Sequence, residues 1–220
     1  KHLIGPAVFE CGITVTNAAA ANAVPVAEFA LAAILFANKD VLRFRQLYAQ
    51  QRRSLELHQS FDGDSGGWYK KVGIVGASRI GRRVLELLRP HAMDILLFDP
   101  LVGAGEAEQL GVELVSLPEL MSECQTISLH APLLPSTRHM IDAGMLAHIR
   151  DGATLINTAR GGLVDQTALE AELVTGRLFA FLDVTEPEAL PENSPLYDLP
   201  NVVLTPHIAG AIGNERQRLG

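Results

Sequence analysis

The chain is poor in cysteine, poor in basic residues relative to acidic ones, and without a long uninterrupted apolar run. Each shortage removes a class of function. Its two cysteines in 220 residues, Cys11 and Cys124, stand far apart and without metal-ligand spacing. They therefore form neither a disulfide framework nor a metal motif, and no metal is expected. A reducing, cytoplasmic setting is the simplest one compatible with them. Lysine and arginine total 18 against 25 aspartates and glutamates, a formal net charge of −7. A nucleic-acid surface needs a basic stripe, so no nucleic-acid partner is expected. The one basic cluster, Arg43, Arg45, Arg52 and Arg53, falls on an expected helix and reads as a solvated or interface face. The apolar run around Phe29 to Ala37 is too short to span a bilayer and no signal peptide is visible, so no membrane partner is expected. Repeats are absent, as is low complexity beyond the alanine-rich 18–23. The chain lacks an initiating Met and stops at Arg218–Leu219–Gly220 within what reads as a starting helix, so a fragment is expected.

What is present is organised around Lys71–Val72–Gly73–Ile74–Val75–Gly76–Ala77–Ser78–Arg79–Ile80–Gly81, followed by Leu96–Leu97–Phe98–Asp99–Pro100. Val72 to Val75 reads as a buried strand that breaks at a glycine turn. Ile80, Val84, Leu87 and Leu88 then carry a helical period, and Ile95 to Phe98 forms a second strand ending in a carboxylate. Strand, tight turn, helix, strand and acid make the dinucleotide-binding fingerprint in its required context. Gly76 permits the turn and Gly81 lets helix and strand pack closely. The helix start directs its amide groups and positive dipole end at a pyrophosphate. Asp99 can accept from the ribose hydroxyls and would repel a 2′-phosphate, so the expected cofactor is NAD rather than NADP. Ser78 departs from the pattern, standing where a second glycine usually lies. Its hydroxyl can donate to a phosphate oxygen, but a side chain there can also disable the site.

Around this unit a short strand signal at Ile13–Thr16 precedes Asn22, a candidate helix cap with Pro25 in the first turn. That helix is expected to run from about Val24 to about Arg53, long enough to project into a partner subunit and make a homodimer. Phe61 to Gly67 reads as a loop. Beyond Lys71, strands are expected at 72–75, 95–98, 112–115, 126–129, 153–157, 178–183 and 202–205. Helices are expected at 80–89, 104–110, 117–122, 142–148 and 165–175, with Asp142 and Asp165 as caps and Gly111, Gly152 and Gly176 as stops. This alternation gives the α/β class: a doubly wound, parallel, Rossmann-type sheet with a long N-terminal helix.

Ligands bind such sheets outside the carboxyl ends of the strands. The segments leaving those ends are His130–Ala131–Pro132–Leu133, then Thr158–Ala159–Arg160–Gly161–Gly162, then Asp183 with Glu186 and Glu188, then Thr205–Pro206–His207–Ile208–Ala209–Gly210. Ile156 to Asp165, Leu182 to Glu188 and Leu204 to Gly210, with Gly12–Asn17 and Val26–Glu28 upstream, resemble the D-isomer-specific 2-hydroxyacid dehydrogenases over nearly the whole chain. The resemblance implies an NAD-dependent oxidoreductase interconverting a D-2-hydroxy acid and a 2-keto acid. It implies that Arg160 binds the substrate's carboxylate and carbonyl oxygen, that His207 moves the proton, and that Glu188 pairs with His207. Cofactor contacts are implied for Gly76, Ser78, Arg79, Ile80, Gly81, Asp99, Pro132, Thr137, Thr158, Ala159, Asp183, His207 and Gly210, with Asp183 at the nicotinamide carboxamide. The chemistry agrees: a guanidinium matches a carboxylate bidentately, a cation stabilises a developing alkoxide, and a carboxylate beside an imidazole favours its acid form.

Glu188 is preferred over Glu186 from its offset from Asp183, although Ala189 replaces the proline usual after the catalytic acid. Formate dehydrogenases of the family carry Gln at Glu188 and are disfavoured. His130 reads as structural, and His2, His58, His91, His139 and His148 have no catalytic context. The seam at Gly67–Trp68–Tyr69–Lys70 is shorter than in relatives. By the resemblance, 1–23 is a remnant of a substrate domain and hinge, 24–210 the NAD-binding domain with its sheet core at 71–205, and 211–220 the start of a return helix. Most of the substrate domain is then absent, so which 2-hydroxy acid is used is unreadable, with Tyr48, Leu101 or Trp68 as candidate pocket contributors. The alternative reading is an NAD(H)-sensing module, like the family's corepressor member, and a third is a scaffold disabled at Ser78.

Overall fold

The apolar runs that lack polar alternation become strands buried on both faces, as a parallel sheet with helices on each side demands. The computed structural model describes Val8, Glu10, Cys11, residues 13–52 and residues 65–219. In it β1 (Lys70–Val75), β2 (Met93–Phe98), β3 (Glu113–Leu114), β4 (Thr126–Leu129), β5 (Thr154–Asn157), β6 (Phe179–Leu182) and β7 (Val202–Leu204) form one sheet in the order β3-β2-β1-β4-β5-β6-β7. Every pairing is parallel. The order reverses beside β1, which puts a topological switch point at the fingerprint turn.

Alternate residues of each strand face two separate cores. Val72, Ile74, Leu97, Ile156 and Phe181 pack with α1 (Ala19–Asn38) and α3 (Arg79–Leu88) on one side. Val75, Leu96, Leu129, Leu155 and Leu182 pack with α5 (Leu117–Glu123), α6 (Ala143–His148) and α7 (Gln166–Val174) on the other. Between them in sequence lie α2 (Val41–Gln51), ahead of β1, and α4 (Ala104–Leu110), ahead of β3. The expected caps are present: Asp142 accepts from the Met145 amide at 2.9 Å, and Asp165 from Thr167 and Ala168 at 3.0 and 3.1 Å. Gly111 and Gly176 take up left-handed turns where helices stop, whereas α6 is already capped at Ile149 and the left-handed Gly152 turns the chain into β5.

The N-terminal region differs from expectation. Ile13–Thr16 is irregular rather than a strand. The helix begins at Ala19, where Asn17 accepts from the Ala19 amide at 3.0 Å, so Asn22 lies inside it and is not its cap. The single helix expected over 24–53 is divided into α1 and α2 at Lys39–Asp40, with Asp40 left-handed at φ 51°. Asn38 explains the break. It is buried, accepts from the Thr126 hydroxyl at 2.8 Å and donates to the Met93 sulfur at 3.4 Å, so the chain must turn where that side chain anchors in the sheet. α1 is also longer than the apolar run read from sequence: its 20 residues are, by length and composition, enough to cross a membrane. Here its Ala27, Ala30 and Ile34 face is buried against α3 and the sheet. At the other end, Gly213–Arg218 is a 3₁₀ turn. His2, Gly12, Arg53, His58 and residues 61–64 of the expected loop lie outside the described residues.

Gly81 sits where α3 crosses β1, and a methyl added there would collide with the Gly76 carbonyl oxygen, a backbone atom that cannot swing away. Gly81→Ala should therefore force α3 off the sheet at a cost of about 1–3 kcal/mol. Thermal unfolding should show a midpoint lowered by roughly 3–10 °C for a domain of this size. An unchanged midpoint would mean that the helix is free to shift.

Candidate active site

Six strands end on one register row. Phe98, Val75, Leu129, Asn157, Leu182 and Leu204 are mutual partners across β2, β1, β4, β5, β6 and β7. The next residue of each chain segment is therefore Asp99, Gly76, His130, Thr158, Asp183 and Thr205, all leaving the sheet at one level. Every candidate site residue between Gly76 and Gly210 belongs to the segments that start there.

On the cofactor side, Gly76 has φ 97°, and a Cβ would lie 2.6 Å from the Ala131 nitrogen, so only glycine fits. Ser78 has φ −62° and ψ 178°, extended backbone open to any residue, which is why the missing glycine does not distort the turn. Its Oγ accepts from the Gly81 amide at 3.3 Å, capping α3 and leaving the hydroxyl proton to donate elsewhere. The amides of Arg79 and Ile80 lie in the first turn, where no intrahelical acceptor exists. Asp99 is half-buried, its two oxygens accepting from the amides of Ala77 at 2.7 Å and Leu101 at 2.8 Å. The carboxylate thus holds the turn. A cleft of about 590 Å³ has Ser78, Arg79 and Ile80 on one wall and Pro132, Ala159 and Arg160 on the other. Thr137 braces the loop opposite, donating to the Pro132 carbonyl at 2.6 Å. Two buried polar atoms here, His130 Nδ1 and Thr158 Oγ1, have no hydrogen-bond partner. A glycine-only turn, open helix amides and unsatisfied buried polar atoms fit a polar ligand such as a dinucleotide.

On the reaction side, Asn157 shapes the turn that carries Arg160. Its amide donates to the Arg160 carbonyl at 2.9 Å, and its oxygen accepts from the Ala159 amide at 3.0 Å. Arg160 is exposed. Asp183 is buried beneath the last loop: its oxygens accept from the Ile208 amide at 2.7 Å, the Ala209 amide at 2.8 Å and the Thr205 hydroxyl at 2.6 Å. Its carbonyl also accepts from the His207 amide at 3.0 Å. These bonds support the left-handed backbone of His207, φ 55°. His207 Nδ1 pairs with Glu188, and both side chains remain substantially exposed. They border a cavity of about 670 Å³ that also reaches Asp183, Leu190 and Tyr197. Glu186 is turned elsewhere, to Arg138 and His139 at 2.9 Å each. Gly210 packs on Asn22, whose oxygen accepts from the Ala211 amide at 2.8 Å.

Sequence reasoning gave no separate task to Asn157, Thr205, Arg138 or His139, and gave Asn22 only that of a helix cap. Asn157 and Thr205 were within reach, since they lie three residues before Arg160 and two before His207 in the same segments. The Asn22 contact, across 189 positions, had no local signal.

Against known proteins, residues 31–209 match the family model described as the NAD-binding domain of D-isomer specific 2-hydroxyacid dehydrogenases. The chain is 36% identical over 210 residues to the D-3-phosphoglycerate dehydrogenase of Mycobacterium leprae, covering 95% of this chain and 39% of that protein. It is 35% identical to the hydroxypyruvate reductase of Thermotoga maritima, covering 96% of this chain and 68% of that one. The solved D-lactate dehydrogenase of Aquifex aeolicus, complexed with NAD and lactic acid, superposes with a TM-score of 0.78 at 31% identity, covering 96% of this chain and 67% of that one. The chain thus spans about two fifths of the length of its phosphoglycerate dehydrogenase relatives.

His130 gives the site a pH signature. Burial pushes its pKa from 6.5 down to about 4, so it is neutral in the folded chain. The unfolded chain takes up that proton first as pH falls below about 6.5, so stability is lost progressively from there toward pH 4. Between pH 7.5 and 5 this contributes a loss of about 2 kcal/mol. Urea unfolding of His130→Gln at the two values should show that part of the loss removed. An identical loss in both proteins would place the acid sensitivity elsewhere.

Proposed function

Because the chain belongs to the D-isomer-specific 2-hydroxyacid dehydrogenase family through its NAD-binding domain, we propose that the protein reduces a small 2-keto acid to the D-2-hydroxy acid, and the reverse. The observation that carries this reading is the shared register row, which delivers the fingerprint turn, Arg160 and the His207–Glu188 pair to one edge of the sheet. NAD, when bound, supplies the hydride acceptor or donor. Gly76, Ser78 and the first-turn amides of Arg79 and Ile80 would hold its pyrophosphate. Asp99 would hold its ribose and disfavour a 2′-phosphate.

Arg160 would bind the substrate carboxylate with two parallel N–H donors and polarise the carbonyl. His207 would give its Nε2 proton to the developing alkoxide, and take it back in oxidation. Glu188, on Nδ1, would orient the ring and stabilise the imidazolium, while Asp183 holds the His207 backbone in place. Relatives named for phosphoglycerate and hydroxypyruvate, and a neighbour solved with lactic acid, support short 2-hydroxy acids as the substrate class. The sensing alternative has no observation of its own in its favour. Pairing of two chains would use the exposed apolar residues of the first two helices, Phe36 and Tyr48. The unpaired Cys11 and Cys124 suit a reducing, cytoplasmic setting.

The test has two stages. Fluorescence titration of this chain should show saturable NADH binding and much weaker NADPH binding. Equal affinities would remove the argument from Asp99. The full-length protein should then oxidise NADH with one or more of hydroxypyruvate, its 3-phosphate and pyruvate. His207→Asn should lower kcat by roughly 10²–10⁴, far more than it weakens NADH binding, whereas Arg160→Ala should mainly raise the keto-acid KM. Turnover unaffected by both substitutions would overturn the assignment.

A further inference from the structure

The carboxylate of Glu186 joins three loops that the reaction needs at fixed spacing. Its two oxygens face Arg138 Nη2 and His139 Nε2, each at 2.9 Å, so the segment after β6 is tied to the segment after β4. His139 in turn donates its amide to the Gly162 carbonyl at 2.8 Å, which ties in the segment after β5. Gly162 is packed so closely that a Cβ would meet Leu133, Glu186 Oε1 and Arg138 Nη1 at 3.1–3.3 Å. Its neighbour Gly161 presses on the Thr185–Glu186 backbone, where a side chain would collide. The Glu186 amide is held from behind by Gln166 at 3.3 Å. Arg160 stands one residue before this glycine pair, and Glu188 two residues after Glu186.

We propose that Glu186, with Arg138 and His139, is the positioning residue that sets the Arg160 turn at its distance from the Glu188–His207 pair. The assignment rests on the dehydrogenase reading for its catalytic consequence but not for the clamp itself. A carboxylate that accepts from a guanidinium and an imidazole at once is stronger than a pair of neutral bonds, and it constrains direction as well as distance. The two donors hold the Glu186 carboxyl below the ordinary carboxylate range, His139 contributing most, so that carboxylate stays ionised at neutral pH. Errors of about 1 Å in such supports cost on the order of 10²-fold in rate. Glu186, Arg138 and His139 do not themselves line the cofactor cleft, while the turn they hold carries Arg160, the residue assigned to the keto acid, so their loss should fall more heavily on the keto acid than on NADH.

Glu186→Gln tests this, because the amide keeps the shape yet can accept from only one of the two donors. In the full-length protein, the keto-acid KM should rise at least tenfold while the NADH dissociation constant stays within twofold. In the 220-residue chain, hydrogen exchange at the amides of His139 and Val164 should quicken at least tenfold, while strand amides of β1 and β4 stay protected. Arg138→Lys, which keeps the charge but loses the fork, should give a smaller defect of the same kind. Unchanged exchange would overturn the clamp, and quickened exchange with KM unmoved would overturn the positioning role. Absence of turnover in the unmodified full-length protein would count against the proposed function instead, and the exchange measurement would then decide the clamp alone.

Discussion

The parallel hydrogen-bond ladder is the constraint on which everything else depends. A parallel pair fixes the level of each residue relative to its neighbour, and here six strands share one terminal row, Phe98 through Leu204. The ladder even continues past the strands: Gly76 donates to the Phe98 carbonyl, His130 to Val75, Asp183 to Asn157 and Thr205 to Leu182. The functional segments therefore leave the sheet already aligned. Because the strands are buried on both faces, slipping the register by one residue would exchange the two cores, moving Leu155 and Ile156 to each other's side. Hydrophobic burial and site geometry are thus the same constraint seen twice.

Above that row, order comes from a few charged or polar side chains that bind backbone. Asp99 fixes the fingerprint turn through the Ala77 and Leu101 amides, Asn157 fixes the Arg160 turn, and Asp183 fixes the His207 loop through two amides and a hydroxyl. In each case the organising side chain sits at or just past the last paired residue. A short, acceptor-rich side chain at that point can reach the amides that the ladder no longer satisfies, which is why aspartate and asparagine recur there.

The sheet was legible in the sequence because short apolar runs bounded by glycine and cap residues have one good solution, and the strand positions agree with expectation to within two residues in every case. The contact of His207 with Glu188 rather than Glu186 agrees with the pairing that the family resemblance implies. What spacing could not show was the use of Glu186, since its partners Arg138 and His139 come from a different loop 48 and 47 positions away. The N-terminal helix failed for the same kind of reason. The helix expected from Val24 to Arg53 is divided at Asp40, where the Asn38 side chain anchors to Thr126 and Met93 and the Asn38 carbonyl accepts from the Gly66 amide, contacts with distant segments that no local pattern displays. Asn22 was read as a cap because its residue type favours one, yet the helix begins at Ala19, five residues before the expected Val24, and Asn22 instead holds the loop after β7.

This division has an energetic side. The frame rests on many fully buried side chains, among them Ile74, Leu97, Leu129, Leu155 and Ile156, and a change to any one is averaged over a large contact set. The loops rest on a handful of bonds, each with one carboxylate or amide at its centre, so losing a single group frees a whole turn. Ser78 shows the boundary between the two regimes. It replaces a residue type the fingerprint usually requires, but its extended backbone needs no glycine and its hydroxyl caps α3, so the frame absorbs the change. At Gly76 the same replacement has no such escape, because φ 97° and the Ala131 backbone at 2.6 Å leave no room for a side chain. The two positions are separated by a single residue, and only the local dihedral angles tell which of them the site can spare.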